Sequence, residues 1–261
     1  MRVGLIGNGA IARVVSDHCG KSKSRLNVVG SLGLPCDTVS VGSHKTYFNL
    51  DDFLSLELDV VVECAGSSAV YNYTKQILES GTDIIIISVG SLVDDVLLSD
   101  VTEIALRTGA KIIIPSGAIA GLDAISAAAI QGLDRVVLRS RKKPLAWAGA
   151  PGVIDLDLSK IQGDQLLFSG SARDAATLFP KNSNVAAALG LAGIGVEKTR
   201  VELIADSSVE RNIHTIEASG SFGCLTIEVC AEPSPSNPKT SLLAALSINR
   251  QLDKMSMAIV I

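Results

Sequence analysis

One histidine in this sequence occupies a position where its imidazole could carry protons in a reaction. His214 falls in the segment 209–218, where alternating apolar and polar residues predict a β-strand with Asn212 and His214 on one face. Imidazole exchanges protons near neutral pH, which suits the acid–base step of a dehydrogenation. The alternative interpretation is a hydrogen-bonded histidine of the core. The other two histidines, His18 and His44, are expected at the surface.

A glycine-rich loop near the start of the chain is typical of a dinucleotide-binding site. The apolar strand Val3–Ile6 runs into this loop, and a helical pattern follows. Gly7 permits a tight turn, Gly9 lets the backbone approach a pyrophosphate, and Ala12 allows close packing of the helix on the strand. Free N–H groups at the helix N-terminus would bind the phosphates. The predicted cofactor contacts in this loop are Gly7, Asn8, Gly9, Ala10, Ile11 and Ala12.

Three small, hydroxyl-rich loops follow later predicted strands, at 65–68, 88–91 and 115–121. The carboxyl ends of parallel strands form the ligand edge of such a sheet, so these loops are expected to approach the nicotinamide ring. Each loop alone is more typical of an ordinary turn, whereas three such loops at one edge of the sheet favour a binding site. The contacts predicted from the first two loops are Ala65, Gly66, Ser88, Val89 and Gly90.

Cysteine chemistry is the competing interpretation. Cys64 ends a predicted apolar strand, where a thiol could act beside a nicotinamide ring as in a semialdehyde dehydrogenase. Its apolar surroundings favour a buried, unreactive side chain. The five cysteines are scattered without CxxC spacing, so neither a metal site nor a disulfide framework is expected.

The first half of the chain alternates short β-branched strands with amphipathic helices, a pattern typical of a doubly wound parallel sheet of the Rossmann type. Gly81 and Gly109 each follow a helical segment as C-terminal stops. After the first strand, the predicted strands are 27–31, 59–65, 82–89 and 110–114, and the predicted helices are 51–56, 68–80 and 101–108.

The second half predicts an α+β domain with a mixed, mostly antiparallel sheet, because several strands alternate apolar and polar residues. A last helix is expected over 239–254, with Asn237 as N-cap and Pro238 at its first position. The predicted strands are 135–139, 165–169, 199–205, 211–219 and 223–230, and the other predicted helices are 121–130, 172–178 and 184–191.

These patterns predict three parts: a cofactor domain over 1–120, a substrate and dimerisation domain over 121–238, and a closing helix within 239–261. A cleft between the two domains is expected to hold the small-molecule site. A homodimer is expected.

Composition excludes several classes of function. The net charge of −4 and the lack of basic runs argue against nucleic-acid binding. No apolar run reaches the length of about 18 residues that a membrane helix needs, and no secretory signal opens the sequence. A cytoplasmic protein that does not bind membranes is expected.

The assembled motifs resemble the L-aspartate dehydrogenase family along nearly the whole chain. The resemblance rests on GLIGNGAIA, VVVECAG, SVGSLVDD, PSGAIAGLDAISAA, FPKNSNVAAALGLAGIG, ADSSVERNIHTIEASGSFG and NPKTSLLAALS. It implies that His214 is catalytic and that Ala118 and Asn184 contact NAD or NADP. It also implies oxidative deamination of L-aspartate to iminoaspartate, which yields oxaloacetate or feeds NAD synthesis.

Two carboxylates of such a substrate need hydrogen-bond donors. Lys239, Thr240 and Ser241 offer an ammonium, hydroxyls and N–H groups at the predicted start of the last helix, although the same segment reads equally well as a capped helix. Arg173 is a further candidate, and Asn212 shares the face of His214.

Cofactor choice is left open by the second strand, which ends at Ser31, a predicted cofactor contact. NAD-specific folds usually carry an acid there, and NADP-specific folds an arginine, but neither is present. The sequence therefore predicts weak discrimination between NAD and NADP.

Two alternatives to this function stay open. One is another Rossmann oxidoreductase of related architecture, such as a homoserine or semialdehyde dehydrogenase. The other is a non-enzymatic NAD-binding sensor, which would not need His214.

Overall fold

The computed structural model describes residues 1–21, 24–33, 44–234 and 237–260. The chain divides into two compact units, one made of Met1–Pro115 with Ala245–Ile261 and the other of Ser116–Ala244. The predicted domain bounds at 120 and 238 stay a prediction.

A six-stranded parallel sheet forms the first unit, in the order β3-β2-β1-β4-β5-β6. This order reverses direction between β1 and β4, as in a doubly wound fold, so the predicted fold class is confirmed. The strands are β1 (Arg2–Ile6), β2 (Asn27–Leu32), β3 (Lys45–Tyr47), β4 (Val60–Glu63), β5 (Asp83–Ile86) and β6 (Ile112–Ile113).

Helices join these strands because their apolar residues recur at helical spacing and their ends carry matching caps. Asp94 accepts hydrogen bonds from Val96 N and Leu97 N at the start of one helix, and Gly109 ends that helix at a φ of +79°. The helices of this unit are α1 (Ala10–Cys19), α2 (Leu50–Leu54), α3 (Ser67–Glu79), α4 (Asp95–Thr108) and the last helix, α8 (Leu242–Ser256), most of which belongs here.

A five-stranded mixed sheet forms the second unit, in the order β11-β10-β7-β9-β8. Only the pair β7 and β9 is parallel, which confirms the mostly antiparallel prediction. The strands are β7 (Leu133–Lys142), β8 (Asp164–Ser171), β9 (Arg200–Asp206), β10 (Asn212–Gly220) and β11 (Gly223–Ala231), and the helices are α5 (Leu122–Ala129), α6 (Ala172–Leu178) and α7 (Asn184–Ala192).

Several elements differ from the sequence-based prediction. Helix α4 begins at Asp95, six residues before its predicted start at 101. The short strand β3 had no predicted counterpart. Strand β7 runs three residues past the predicted end at Arg139, because it pairs along its length with β10 and β9. Residues 237–241 form a strand, β13, paired with β12 (Pro233–Ser234), so the last helix begins at Leu242 and the predicted start at Lys239 is wrong.

Candidate active site

His214 lies on the face of β10 that packs into the core of the second unit. In the register of β10 with β7 it stands opposite Ser140, and its Nδ1 lies 2.9 Å from the Ser140 hydroxyl oxygen. The side chain is only 3% exposed. The other ring nitrogen, Nε2, makes no hydrogen bond to any described residue. The position of His214 on β10 therefore places Nδ1 within hydrogen-bond distance of Ser140 and leaves Nε2 able to exchange a proton with a ligand.

A buried lysine that sequence reasoning missed lies on the same face. Lys142 follows Ser140 by two residues on β7, so both side chains continue the face of Leu138. Its Nζ donates to Asn182 Oδ1 at 2.9 Å and lies 5.1 Å from the ring centroid of Trp147. Burial lowers the pKa of Lys142 to about 8. The alternation Leu-Ser-Lys was the available signal, but the predicted strand ended too early to include it.

These surroundings keep the imidazole of His214 uncharged in the free protein. Burial, and secondly the positive charge of Lys142, lower the pKa of His214 to about 3. Protonation would place a second positive charge in a site with little water, so the neutral ring is favoured.

The asparagine-rich segment before α7 contributes to this cluster through Asn182, which was not among the predicted residues. Ser183 is buried and its hydroxyl donates to the Pro180 carbonyl at 3.4 Å. Asn184, a predicted cofactor contact, is the first residue of α7 and is half-buried. Ala118, the other predicted contact in this unit, is also half-buried, next to the core residue Ile119.

The predicted substrate donors have different surroundings. The Arg173 guanidinium pairs with Glu197. Asn212 begins β10 on the face of His214. The Ser241 hydroxyl accepts a hydrogen bond from Leu243 N at 3.1 Å. Lys239 and Thr240 belong to β13 instead of a helix start, and their side chains lie outside the described residues.

In the first unit, the glycine loop fits a dinucleotide phosphate. Gly7 has a φ of +88°, and a Cβ there would lie 2.9 Å from Ala65 Cβ. Gly9 is exposed, and a Cβ there would meet nothing within 4 Å, so the space beside it is open. Asn8 is 8% exposed, yet neither polar atom of its amide has a hydrogen-bond partner. Helix α1 begins behind Gly9 without a side-chain cap. An anion at this helix end would satisfy the unpaired donors.

Glu63 forms hydrogen bonds to two of the predicted cofactor loops, and it was not among the residues predicted from the sequence. Its fully buried carboxylate accepts hydrogen bonds from Ala65 N, Gly66 N and Ser88 N at 2.7, 2.6 and 2.9 Å. The Ser88 hydroxyl donates a fourth, at 3.1 Å. Burial raises the pKa of Glu63, and these hydrogen bonds oppose the rise. The loops after β4 and β5 are therefore held together by one acid, whose signal in the sequence was a lone carboxylate within an apolar strand.

The remaining predicted contacts lie along the same sheet. Ser31 is fully buried in β2, and its hydroxyl lies 3.2 Å from the Thr46 hydroxyl of β3. Val89 is buried and Gly90 half-buried, both in the 3-10 turn that follows β5. Burial, with the nearby Glu63 charge, raises the pKa of Cys64 well above its usual value, which disfavours a reactive thiolate.

The other histidines take no part in these clusters. His18 Nε2 lies 2.9 Å from Asp253 Oδ1. His44, expected in solvent, is half-buried, and burial lowers its pKa. Among the described residues there is no His, Cys, Asp or Glu cluster suited to a metal ion. None of the described helices is long and apolar enough to cross a membrane.

Comparison with known proteins gives a consistent result for both units. Residues 123–255 match the family model of the aspartate dehydrogenase C-terminal domain, and residues 3–115 match that of the homoserine dehydrogenase NAD-binding domain. The chain is 45% identical over 201 residues to an L-aspartate dehydrogenase of Methanococcoides burtonii, covering 76% of this chain and 74% of that protein. It is 43% identical over 201 residues to one of Ralstonia nicotianae, covering 77% and 75%. The crystal structure of aspartate dehydrogenase from Thermotoga maritima superposes with a TM-score of 0.80 at 27% identity, covering 100% and 99% of the two chains.

Proposed function

Because the chain belongs to the L-aspartate dehydrogenase family, we propose that it catalyses the NAD(P)-dependent oxidative deamination of L-aspartate to iminoaspartate, with His214 as acid–base residue. The observation that carries the proposal is the neutral, buried imidazole of His214, bonded through Nδ1 and open at Nε2. An uncharged imidazole can accept a proton, whereas a charged one cannot.

The first unit would hold the cofactor. Bound NAD(P)⁺ supplies an acceptor for the hydride that leaves the substrate α-carbon. The glycine loop would bind the pyrophosphate at the N-terminus of α1, with the unpaired amide of Asn8 beside it. The loops braced by Glu63 would contact the nicotinamide half, because they follow β4 and β5 in the second half of the sheet. The proposed contacts in this unit are Gly7, Asn8, Gly9, Ala10, Ile11, Ala12, Ser31, Ala65, Gly66, Ser88, Val89 and Gly90. For the second unit, the cofactor contacts implied by the family resemblance, Ala118 and Asn184, stay predictions.

The second unit would handle the substrate proton. In the tautomer this requires, Nδ1–H donates to the Ser140 hydroxyl oxygen and the lone pair of Nε2 is free to accept a proton. His214 would take the proton of the substrate ammonium or activate the water that attacks the imine. Ser140 would orient the ring, and Asn212, on the same face, would contact the substrate.

The test replaces His214 by Ala and by Asn. Each variant should lower kcat for L-aspartate by about 10²–10⁴-fold, the usual contribution of general acid–base catalysis, while NADH still binds. Thr215→Ala, which changes the neighbouring residue on the opposite face of β10, is the matched control and should stay near wild type.

Initial rates with L-aspartate, L-glutamate and homoserine, each with NAD and NADP, would identify the substrate. Near wild-type turnover by His214→Asn would reduce His214 to an orienting role. Absence of aspartate-dependent NAD(P) reduction by the wild type would refute the function itself.

The remaining parts of the proposal concern the setting of the enzyme. We propose a cytoplasmic homodimer whose product feeds NAD synthesis. Light scattering of the purified chain during size-exclusion chromatography measures the oligomeric state, and a monomeric mass would contradict the dimer.

A further inference from the structure

The basic residues of β7 differ in how their charges are balanced. Arg139 is bound to the carboxylates of Glu202 and Glu217 on one face of the sheet. Arg141, on that same face, is bound to Asp206 at 2.7 Å. Lys142 lies on the opposite, buried face and contacts no carboxylate among the described residues. The one buried cation of this strand is therefore the one without a counter-charge.

The surroundings of Lys142 contain more donors than acceptors. Its ammonium carries three N–H groups, and the structure shows one bonded, to Asn182 Oδ1. The indole Nε1–H of Trp147, whose ring lies next to Nζ, is also buried without a partner. Unmet buried donors cost free energy, and an uncompensated buried charge costs more. An anion is the ligand that such a cluster lacks.

We infer that the ammonium of Lys142, positioned by Asn182, binds a carboxylate of the dicarboxylic substrate beside His214. The inference rests on the proposed function. Lys142 takes the place of Lys239 as the proposed contact for a substrate carboxylate, because Lys239 is not at the start of a helix. Lys142 lies on the same sheet face as His214 and Ser140.

Binding of a carboxylate at Lys142 would also change the basicity of His214. The positive charge of Lys142 is one cause of the low pKa of His214, so a carboxylate that neutralises this charge raises the pKa of the imidazole. The substrate would in this way strengthen the base that removes its proton.

The test measures binding of succinate, a dicarboxylate without an amine, to the NADH-bound protein by calorimetry. Lys142→Met keeps much of the side-chain volume and removes the charge, and it should weaken succinate binding by at least about 30-fold, as expected when one partner of a buried charge pair is lost. Lys143→Met is the matched control. That neighbouring lysine is exposed and paired with Glu210, so its loss should change succinate affinity by less than about threefold.

Asn182→Asp tests the same inference while leaving Lys142 in place, and it can be used even if Lys142→Met does not fold. The new carboxylate would stand where an oxygen now lies 2.9 Å from Nζ, compete with succinate, and weaken its binding by about tenfold or more. A purely structural lysine would be stabilised by this change without any loss of succinate affinity. The inference is overturned if folded variants bind succinate within about threefold of wild type, or if wild type binds it no better than Lys142→Met.

Aspartate turnover by the same proteins separates this inference from the proposed function. A wild type without turnover refutes the function, whatever succinate does. A wild type that oxidises aspartate, together with a Lys142→Met variant of unchanged KM, refutes the role of Lys142 alone.

Discussion

Two glycines separated by one residue should respond to substitution in different ways, because the structure requires each for a different reason. Gly7 has a φ of +88°, and a Cβ there would come within 2.9 Å of Ala65 Cβ. Gly9 has a φ of −81° and open space around a Cβ. Gly7→Ala should therefore damage the fold, whereas Gly9→Val should damage cofactor binding.

The magnitudes follow from these contacts. At Gly7, a left-handed alanine costs about 1–2 kcal/mol and the overlap with Ala65 about 1–2 kcal/mol more. The sum, roughly 2–4 kcal/mol, lowers Tm by roughly 5–15 °C for a protein of this size. At Gly9, valine is a poor N-cap residue but meets no neighbour, so about 1 kcal/mol and a Tm loss of about 2–4 °C are expected.

Cofactor affinity should separate the two variants further. A valine at Gly9 fills the space that a pyrophosphate would occupy. Loss of two charge-assisted hydrogen bonds, at about 1.5–3 kcal/mol each, weakens NADH binding by about 100-fold or more. Calorimetry with NADH and differential scanning calorimetry on both variants measure the two effects. Unchanged NADH affinity in Gly9→Val, or a Tm loss equal to that of Gly7→Ala, would refute the reasoning.

Two further predictions concern the same unit. Burial raises the pKa of Glu63, so wild type loses stability as the pH rises above the usual range of a glutamate, where the unfolded chain ionises first. Glu63→Gln carries no charge, so its Tm relative to wild type should increase as the pH rises above that range. A Tm difference that stays constant with pH in scanning calorimetry would contradict this. With neither acid nor arginine at the end of β2, NAD and NADP should support turnover within about 100-fold of each other, roughly 3 kcal/mol, and initial rates that show complete rejection of NADP would disprove it.

The sequence by itself determined the elements whose signals are local. The spacing of Gly7 and Gly9 behind an apolar strand predicted the turn and the helix that the structure contains. Alternation placed Asn212 and His214 on one face of a strand, and the structure shows β10 there. These predictions agree with the structure because turn geometry and the two-residue period of a strand depend on neighbouring residues alone.

Only the tertiary structure decided which polar groups meet. Strand β7 extends to Lys142 because β9 and β10 pair with it, and this pairing sets Ser140 against His214 across 74 residues of chain. Asn182 reaches Lys142 from a separate segment, and Glu63 joins two loops that the sequence keeps apart. Register and burial are properties of paired strands and packed layers, so the charge of Lys142 and the neutrality of His214 could not be read from either segment alone.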